Sequence, residues 1–394
     1  MRCSMATIAL GTLVVVGAQS TAAPHAAAQL RARPPRHHNR VDRPPSDSVA
    51  FFLAEHAVAG LWSARDTIGF SGTEGSMLAV AHGVAKLLPS ARIYIVHKRW
   101  HGTSKDDGVT YCNLATLPPI HTAIFGNDKG YPARGGAWSV QGIVDSKKVR
   151  RVVYWRENTW PHYDNVPSID VAIGPELVFN SWYEYYTFRQ THQWPNDKVT
   201  AVVIPNPVMA RPRNATAVVD PNKLLYASAF RKGLRHAYAA FAAIHAAIPT
   251  MRLKLFTPSY GKGQNPRDFD AYPLPESARA NLDIVGSVGK AELLDEVETS
   301  LAVLYPTLYR ETFGNSMAEA QALGTPVIHV ETGSLPEVLY NPLAQSVRWS
   351  TMANDSVQLV KQYRNGGRPE VRLHGRFQPE AVAQQWVDFL HFER

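Results

Sequence analysis

Two glutamates, Glu311 and Glu319, stand with seven residues between them, and the turn Thr312-Phe313-Gly314-Asn315-Ser316 fills most of that gap. A carboxylate can accept paired hydrogen bonds from sugar hydroxyls. The segment 315–323 favours helix: Asn315 or Ser316 can cap its start, and Gly324 can end it at positive φ. Pro326 stops continuation, and the apolar run 327–330 reads as a buried strand. The first amides of such a helix lack intrahelical acceptors and attract anions. One acid before the helix and a second one turn into it therefore suit a sugar diphosphate. Upstream, Arg231 and Lys232 are adjacent cations beside another helix start, and two such cations can neutralise a departing diphosphate. The plain alternative is a helix–strand unit with two solvated glutamates and a solvated basic turn.

Elements must place these residues together. From residue 48 onward, apolar runs alternate with helical stretches, which implies α/β layers on parallel sheets. Strands are expected at 58–62, 91–97, 149–154, 170–173 and 199–204, then at 223–227, 251–256, 282–285 and 302–305. Helices are expected at 76–88, after 178–181, at 234–247 and at 379–392. Between the first strand and the first helix lies a small-residue loop, 71–76, in which Gly72 and Thr73 can approach a phosphate or an acceptor closely. A plain turn is the alternative there. The stretch 126–142 is glycine-rich and reads as a surface loop. Arg156, Glu157 and His162 follow the 149–154 strand in a polar loop. Trp182, Tyr183, Tyr185, Tyr186 and Phe188 read as packing rather than as a sugar platform.

Glu311, Phe313, Gly314, Glu319, Ala320, Gly324, Thr325, Pro326, Val327, Gly333, Leu335, Pro336, Glu337 and Val338 together resemble the signature of the retaining nucleotide-sugar glycosyltransferases of family 4, the glycosyl transferases group 1. The resemblance implies the GT-B fold: two Rossmann-like α/β domains facing across a cleft, with a C-terminal helix crossing back to the first. It places an acceptor-side domain at 49–208, a donor-binding domain at 209–378 and the return helix at 379–394. It implies that Glu311 contacts donor-sugar hydroxyls and Glu319 the ribose, with Phe313, Gly314, Asn315, Ser316, Gly72 and Thr73 around the donor. Lys232-Gly233 matches the family's diphosphate-binding pair. The Arg expected earlier in that loop is replaced by Ser228 or Ala229, and Arg231 is the available substitute. The family's histidine after the 149–154 strand is also missing. Arg156, Glu157 and His162 are left as acceptor-side candidates. The usual Asn-Gly before the interdomain linker becomes Asn206-Pro207. The implied reaction is metal-independent transfer of a sugar, with retention, from a UDP- or GDP-sugar to a hydroxyl of a carbohydrate acceptor, with no prosthetic group. A non-catalytic sugar-binding protein and a phosphorylase stay open, and the Lys232 loop with the Glu311 segment argues against an epimerase.

The 394 residues suffice for two cores, and 45% hydrophobic with 19% charged residues is ordinary for a globular chain. The net charge of +8 suits an anionic donor. No zinc spacing, basic helix or aromatic–basic RNA motif points to nucleic acid. Cys3 and Cys112 are the only cysteines, which leaves no structural zinc site and no disulfide framework. Asp106-Asp107 lies in a polar loop and is not a convincing metal motif. Arg2 followed by an apolar run to Ala18 reads as a signal peptide (1–23) or a short anchor. Such a segment implies the secretory pathway or membrane association. An organelle transit sequence and a cytosolic extension are the alternatives. Residues 24–48 read as a disordered stem.

Overall fold

The structure, a computed structural model, describes residues 48–53, 72–98, 100–126, 137–147, 149–157, 176–192, 200–257 and 272–390. In the first half the strands are β1 (Ser48–Phe52), β2 (Arg92–Val96), β3 (Thr103–Asp106), β4 (Val109–Cys112), β5 (Thr122–Gly126), β6 (Arg151–Arg156), β7 (Glu176–Phe179) and β8 (Ala201–Val203). They form one sheet in the order β3-β4-β2-β1-β5-β6-β7-β8. Every pairing is parallel except that of β3 with β4. Runs such as Ser48–Phe52 are buried along their whole length, as a sheet covered on both faces requires. Helices α1 (Gly72–Leu87), α2 (Val140–Lys147) and α3 (Trp182–His192) belong to this half.

The second half holds β9 (Asp220–Ala227), β10 (Arg252–Phe256), β11 (Leu282–Ile284), β12 (Ser300–Tyr305) and β13 (Val327–His329). Its sheet runs β11-β10-β9-β12-β13, all parallel. Its helices are α4 (Leu234–Ala247), α5 (Glu276–Arg279), α6 (Lys290–Glu298), α7 (Asn315–Ala322), α8 (Leu335–Val338) and α9 (Met352–Gly366). Strand order reverses between β9 and β12, so the crevice at their carboxyl ends is a topological switch point, where α/β sheets bind ligands.

The last helix, α10 (Pro379–Leu390), packs on the first half. Its Trp386 is fully buried against Trp155 and Phe51, with ring centroids 4.7 and 6.2 Å apart. Gly83 of α1 lets the two helices touch, because a Cβ there would lie 2.6 Å from Ala383 Cβ. Arg151 caps the helix end by donating to the carbonyls of Leu390 and Phe389, each at 3.0 Å, while its remaining donors hold Glu176. Among the described residues, no helix is long and apolar enough to cross a membrane.

Several expectations need correction. Ser48, placed at the end of the stem, is the buried first residue of β1. The strands expected at 58–62 and 170–173 lie outside the described residues, as do the signal segment, the rest of the stem and His162. Helix α1 starts at Gly72, so 72–75 is a first helical turn rather than a loop. Helix α2 begins inside the stretch read as surface loop. The polar Asp106-Asp107 segment is a hairpin. Asp107 and Gly108 both take positive φ, 43° and 84°, as a tight turn between β3 and β4 demands. That Asp-Gly pair is a legible turn signal.

Candidate active site

Strand β9 ends at Ala227, and the chain turns through a single 3-10 turn, Phe230–Lys232, into α4. Gly233 makes the corner at φ 119°, where a Cβ would collide with the Thr307 side chain 2.3 Å away. The β9 loop is thereby pressed against the β12 loop across the switch point. On the other side, Tyr305 ends β12, and residues 305–311 fold back on themselves through Thr307 N to Tyr305 O and Glu311 N to Tyr309 O.

These two turns bring Lys232 to Glu311. The ammonium donates to both carboxylate oxygens, at 3.1 and 3.0 Å, and sits 4.7 Å from the centre of the Tyr309 ring. The Tyr305 hydroxyl donates to Glu311 Oε1 at 2.7 Å. Burial first, and the Glu311 charge second, push the Tyr305 phenol well above its ordinary range, so it stays a donor. The backbone of Glu311 is fixed from behind. Ser334 N donates to its carbonyl at 2.9 Å, and Gly333, at φ 61°, lies so close that a Cβ would be 2.6 Å from that carbonyl oxygen. The lysine side chain keeps 29% exposure and the glutamate 11%, so the pair faces an opening.

Helix α7 starts three residues beyond Thr312. Its cap is Gly314 at φ 84°, with no side-chain cap bond, rather than Asn315 or Ser316 as expected. The Asn315 side chain is used elsewhere: its Nδ2 donates to Gly72 O in the first half at 3.1 Å. The amides at the start of α7 remain without intrahelical acceptors. Glu319, one turn in, is buried and ion-paired with Lys290 at 2.5 Å. The chain leaves the helix at Gly324 with φ 71°, as expected. Phe313 is fully buried edge-on against Phe377, 5.3 Å between centroids, and supports the turn from below.

The remaining candidates separate. Arg231 is exposed, with its guanidinium 5.4 Å from the Phe230 ring centre, and the cation that reaches Glu311 is its neighbour Lys232. Ser316 is half-buried on the first turn of α7 and Thr73 half-buried on that of α1. Arg156 is buried under the Phe188 ring, 4.4 Å from its centre. Glu157 is buried too, next to Asn206. Among the described residues, no group of three His, Cys, Asp or Glu could hold a metal ion.

Sequence reasoning missed Tyr305, Tyr309 and Lys290. Tyr305 closes an apolar strand and reads as core. Lys290 follows Gly289 at a helix start, a weak signal for a cation near a phosphate or ribose. Only the packing of α6 beside α7 brings it to Glu319.

Residues 221–365, which hold Lys232, Glu311, Glu319 and Lys290, match the family model Glycosyl transferases group 1. The match covers that segment of the chain. The family 4 resemblance of the Glu311 segment agrees with it. The chain is 27% identical over 232 residues to D-inositol 3-phosphate glycosyltransferase of Segniliparus rotundus, covering 54% of this chain and 51% of that protein. It thus spans about half the length of that curated relative. Among solved structures, the glycosyltransferase AviGT4 of avilamycin A biosynthesis superposes with a TM-score of 0.57 at 18% identity, over 87% of this chain and 96% of that one. Sucrose-phosphate synthase from Thermosynechococcus elongatus gives 0.60 at 14%, over 87% and 98%. Anabaena HepE, solved in complex with UDP-glucose, gives 0.56 at 11%, over 86% and 94%. These likenesses establish the GT-B fold, two Rossmann-like domains.

Proposed function

We propose that the protein is a glycosyltransferase that moves a sugar from a nucleoside-diphosphate sugar to a hydroxyl of a carbohydrate acceptor, with retention at the anomeric carbon. The observation that carries this reading is the Lys232–Glu311 pair at the switch point, one turn before the open amides of α7. A diphosphate drawn to those amides competes for Lys232, because its charge exceeds that of one carboxylate. Glu311 is then released to accept two hydrogen bonds from the donor sugar, while Tyr305 keeps Oε1 oriented. Glu319 stands in reach of the ribose, with Lys290 beside it.

The bond from the anomeric carbon to the phosphate oxygen breaks through an oxocarbenium-like state, and negative charge gathers on the leaving diphosphate. Lys232 and the α7 amides are preorganised where that charge develops, which is the largest kind of catalytic term in such sites. The acceptor oxygen bonds to the same face of the anomeric carbon, and its proton passes to the leaving phosphate. No covalent enzyme intermediate and no metal ion enter this scheme. Anabaena HepE, which shares the fold, has been crystallised with UDP-glucose bound. A UDP- or GDP-sugar is accordingly the proposed donor class, and UDP, GDP, ADP and their sugars are the panel to test.

The test is a thermal-shift screen of the full chain against that panel, followed by NMR of the product's anomeric proton. One nucleotide should stabilise the wild type and not Glu319→Ala, and the product should keep the donor's configuration. Absence of any shift at millimolar nucleotide would overturn the donor site. An inverted product would overturn the retaining scheme alone.

A further inference from the structure

A second glutamate lies at the boundary between the halves and has the opposite surroundings. Glu157 follows β6 and is 5% exposed. Asn206 Nδ2 donates to its Oε2 at 3.2 Å, and Thr73 shares a hydrogen bond with it. The same Asn206 amide donates to Asn315 Oδ1 at 3.1 Å. Asn315 in turn donates to Gly72 O at 3.1 Å and lies 3.4 Å from Ser76 Oγ. At Gly72 a Cβ would sit 2.6 Å from Asn315 Nδ2, so the approach is close. Next to this chain of bonds, the Thr312 hydroxyl donates to the carbonyl of Glu157 and accepts from Asn180 Nδ2 at 3.2 Å. One continuous set of side chains therefore joins the end of β6, the segment after β8, the first residue of α7 and the first turn of α1.

We propose that Glu157, Asn206 and Asn315 are positioning residues that latch the first half onto the first turn of α7 and hold the two halves closed over the donor anchor. The naming of that anchor rests on the function proposed above; the latch itself rests on the bonds just described. All three residues act through the amides of α7 and do not touch the reacting atoms. The latch explains why Asn315 does not cap its own helix. It also gives Asn206, which directly precedes the linker, a reason to be there.

The latch has a pH dependence with a fixed sign. The charged groups that act on Glu157 are Glu74 on α1 and Glu184 on α3, both buried; its chain neighbour Arg156 is stacked on Phe188. Glu337 stands at the start of α3, accepting from Tyr183 N. Burial pushes the Glu157 carboxyl up from its ordinary 4.5 to about 8, and the two neighbouring carboxylates add to it. In an open, solvated arrangement the group returns toward its ordinary value. Closure then binds a proton, and it loses ground as pH rises from about 4.5 to about 8.

The experiment is amide hydrogen exchange on the full chain from pH 5 to 8.5, normalised to the intrinsic rate, read in peptides covering 72–80 and 312–322. Wild type should lose protection there as pH rises. Glu157→Gln should stay protected across the window, because the amide cannot ionise. Asn206→Ala should be unprotected throughout, and its KM for the nucleotide sugar found in the screen should rise about tenfold with kcat less affected, the size of one or two lost hydrogen bonds. If Glu157→Gln follows the wild-type slope, or if Asn206→Ala keeps wild-type protection, the latch is overturned. A protein that binds no nucleotide yet shows these exchange patterns would refute the donor site and leave the latch standing.

Discussion

Glu311 and Glu157 lie on opposite sides of the same boundary, linked by the Thr312 hydroxyl, and their surroundings could hardly differ more. Glu311 faces a lysine ammonium at 3.0 Å and a tyrosine hydroxyl at 2.7 Å, and it borders an opening. Glu157 is sealed among amides, a hydroxyl and two further carboxylates. One glutamate is held by exchangeable charge, and a ligand can take its partner. The other is held by neutral hydrogen bonds in a site whose burial, with two carboxylates nearby, favours the protonated acid. The contrast teaches that the partner, a cation against neutral amides and a hydroxyl, and not the carboxylate itself, sets the two positions apart.

The comparison breaks most simply at Glu311. Replacement by alanine should lower transfer by about a thousandfold or more while the melting temperature changes little, since the proposed role lies in transition-state contacts. Turnover near that of wild type with any donor would remove the distinction between the two glutamates. Lys232→Met should cost about a hundredfold to a thousandfold in kcat, whereas Arg231→Ala, at an exposed position, should cost only a few fold. Equal losses would mean that both cations reach the diphosphate. Gly333→Ala should destabilise the fold by about 2–3 kcal/mol, from a strained φ and a clash with the Glu311 backbone. Denaturant midpoints would measure it, and a neutral result would show that the Glu311 turn can shift. Tyr305→Phe, the mildest change, should reduce kcat/KM about tenfold by removing one hydrogen bond to a carboxylate. No change in kcat/KM would leave Lys232 as the sole group orienting Glu311.

The second half is the more legible in sequence, for a physical reason. Helix 234–247 and the strand–helix–strand path around Glu311 depend on local signals: glycines at positive φ, a proline stop and continuous apolar runs. Lys232 follows from its place between a strand end and Gly233. In the first half, local signals are weaker or point the wrong way. Ser48–Phe52 follows directly on a proline-rich segment, so the start of β1 merges with the stem. The start of α1 carries glycines that read as loop, yet Gly72 is helical and its carbonyl accepts from Asn315 of the other half. The Asp107-Gly108 pair carries a hairpin signal, but the acids beside it draw attention to metal chemistry instead.

Sequence alone indicated the α/β class, the segment that matches the family model and two candidate residues, Lys232 and Glu311, that the fold brings together. Those depend on spacing along the chain, and spacing survives without coordinates. Only the tertiary structure decided that Lys290 serves Glu319, that Tyr305 serves Glu311 and that Asn315 belongs to the boundary between halves rather than to its own helix cap. Each of these joins positions from 6 to 243 residues apart in the chain. Partners chosen by packing at such distances leave no periodic trace in the residues that make them.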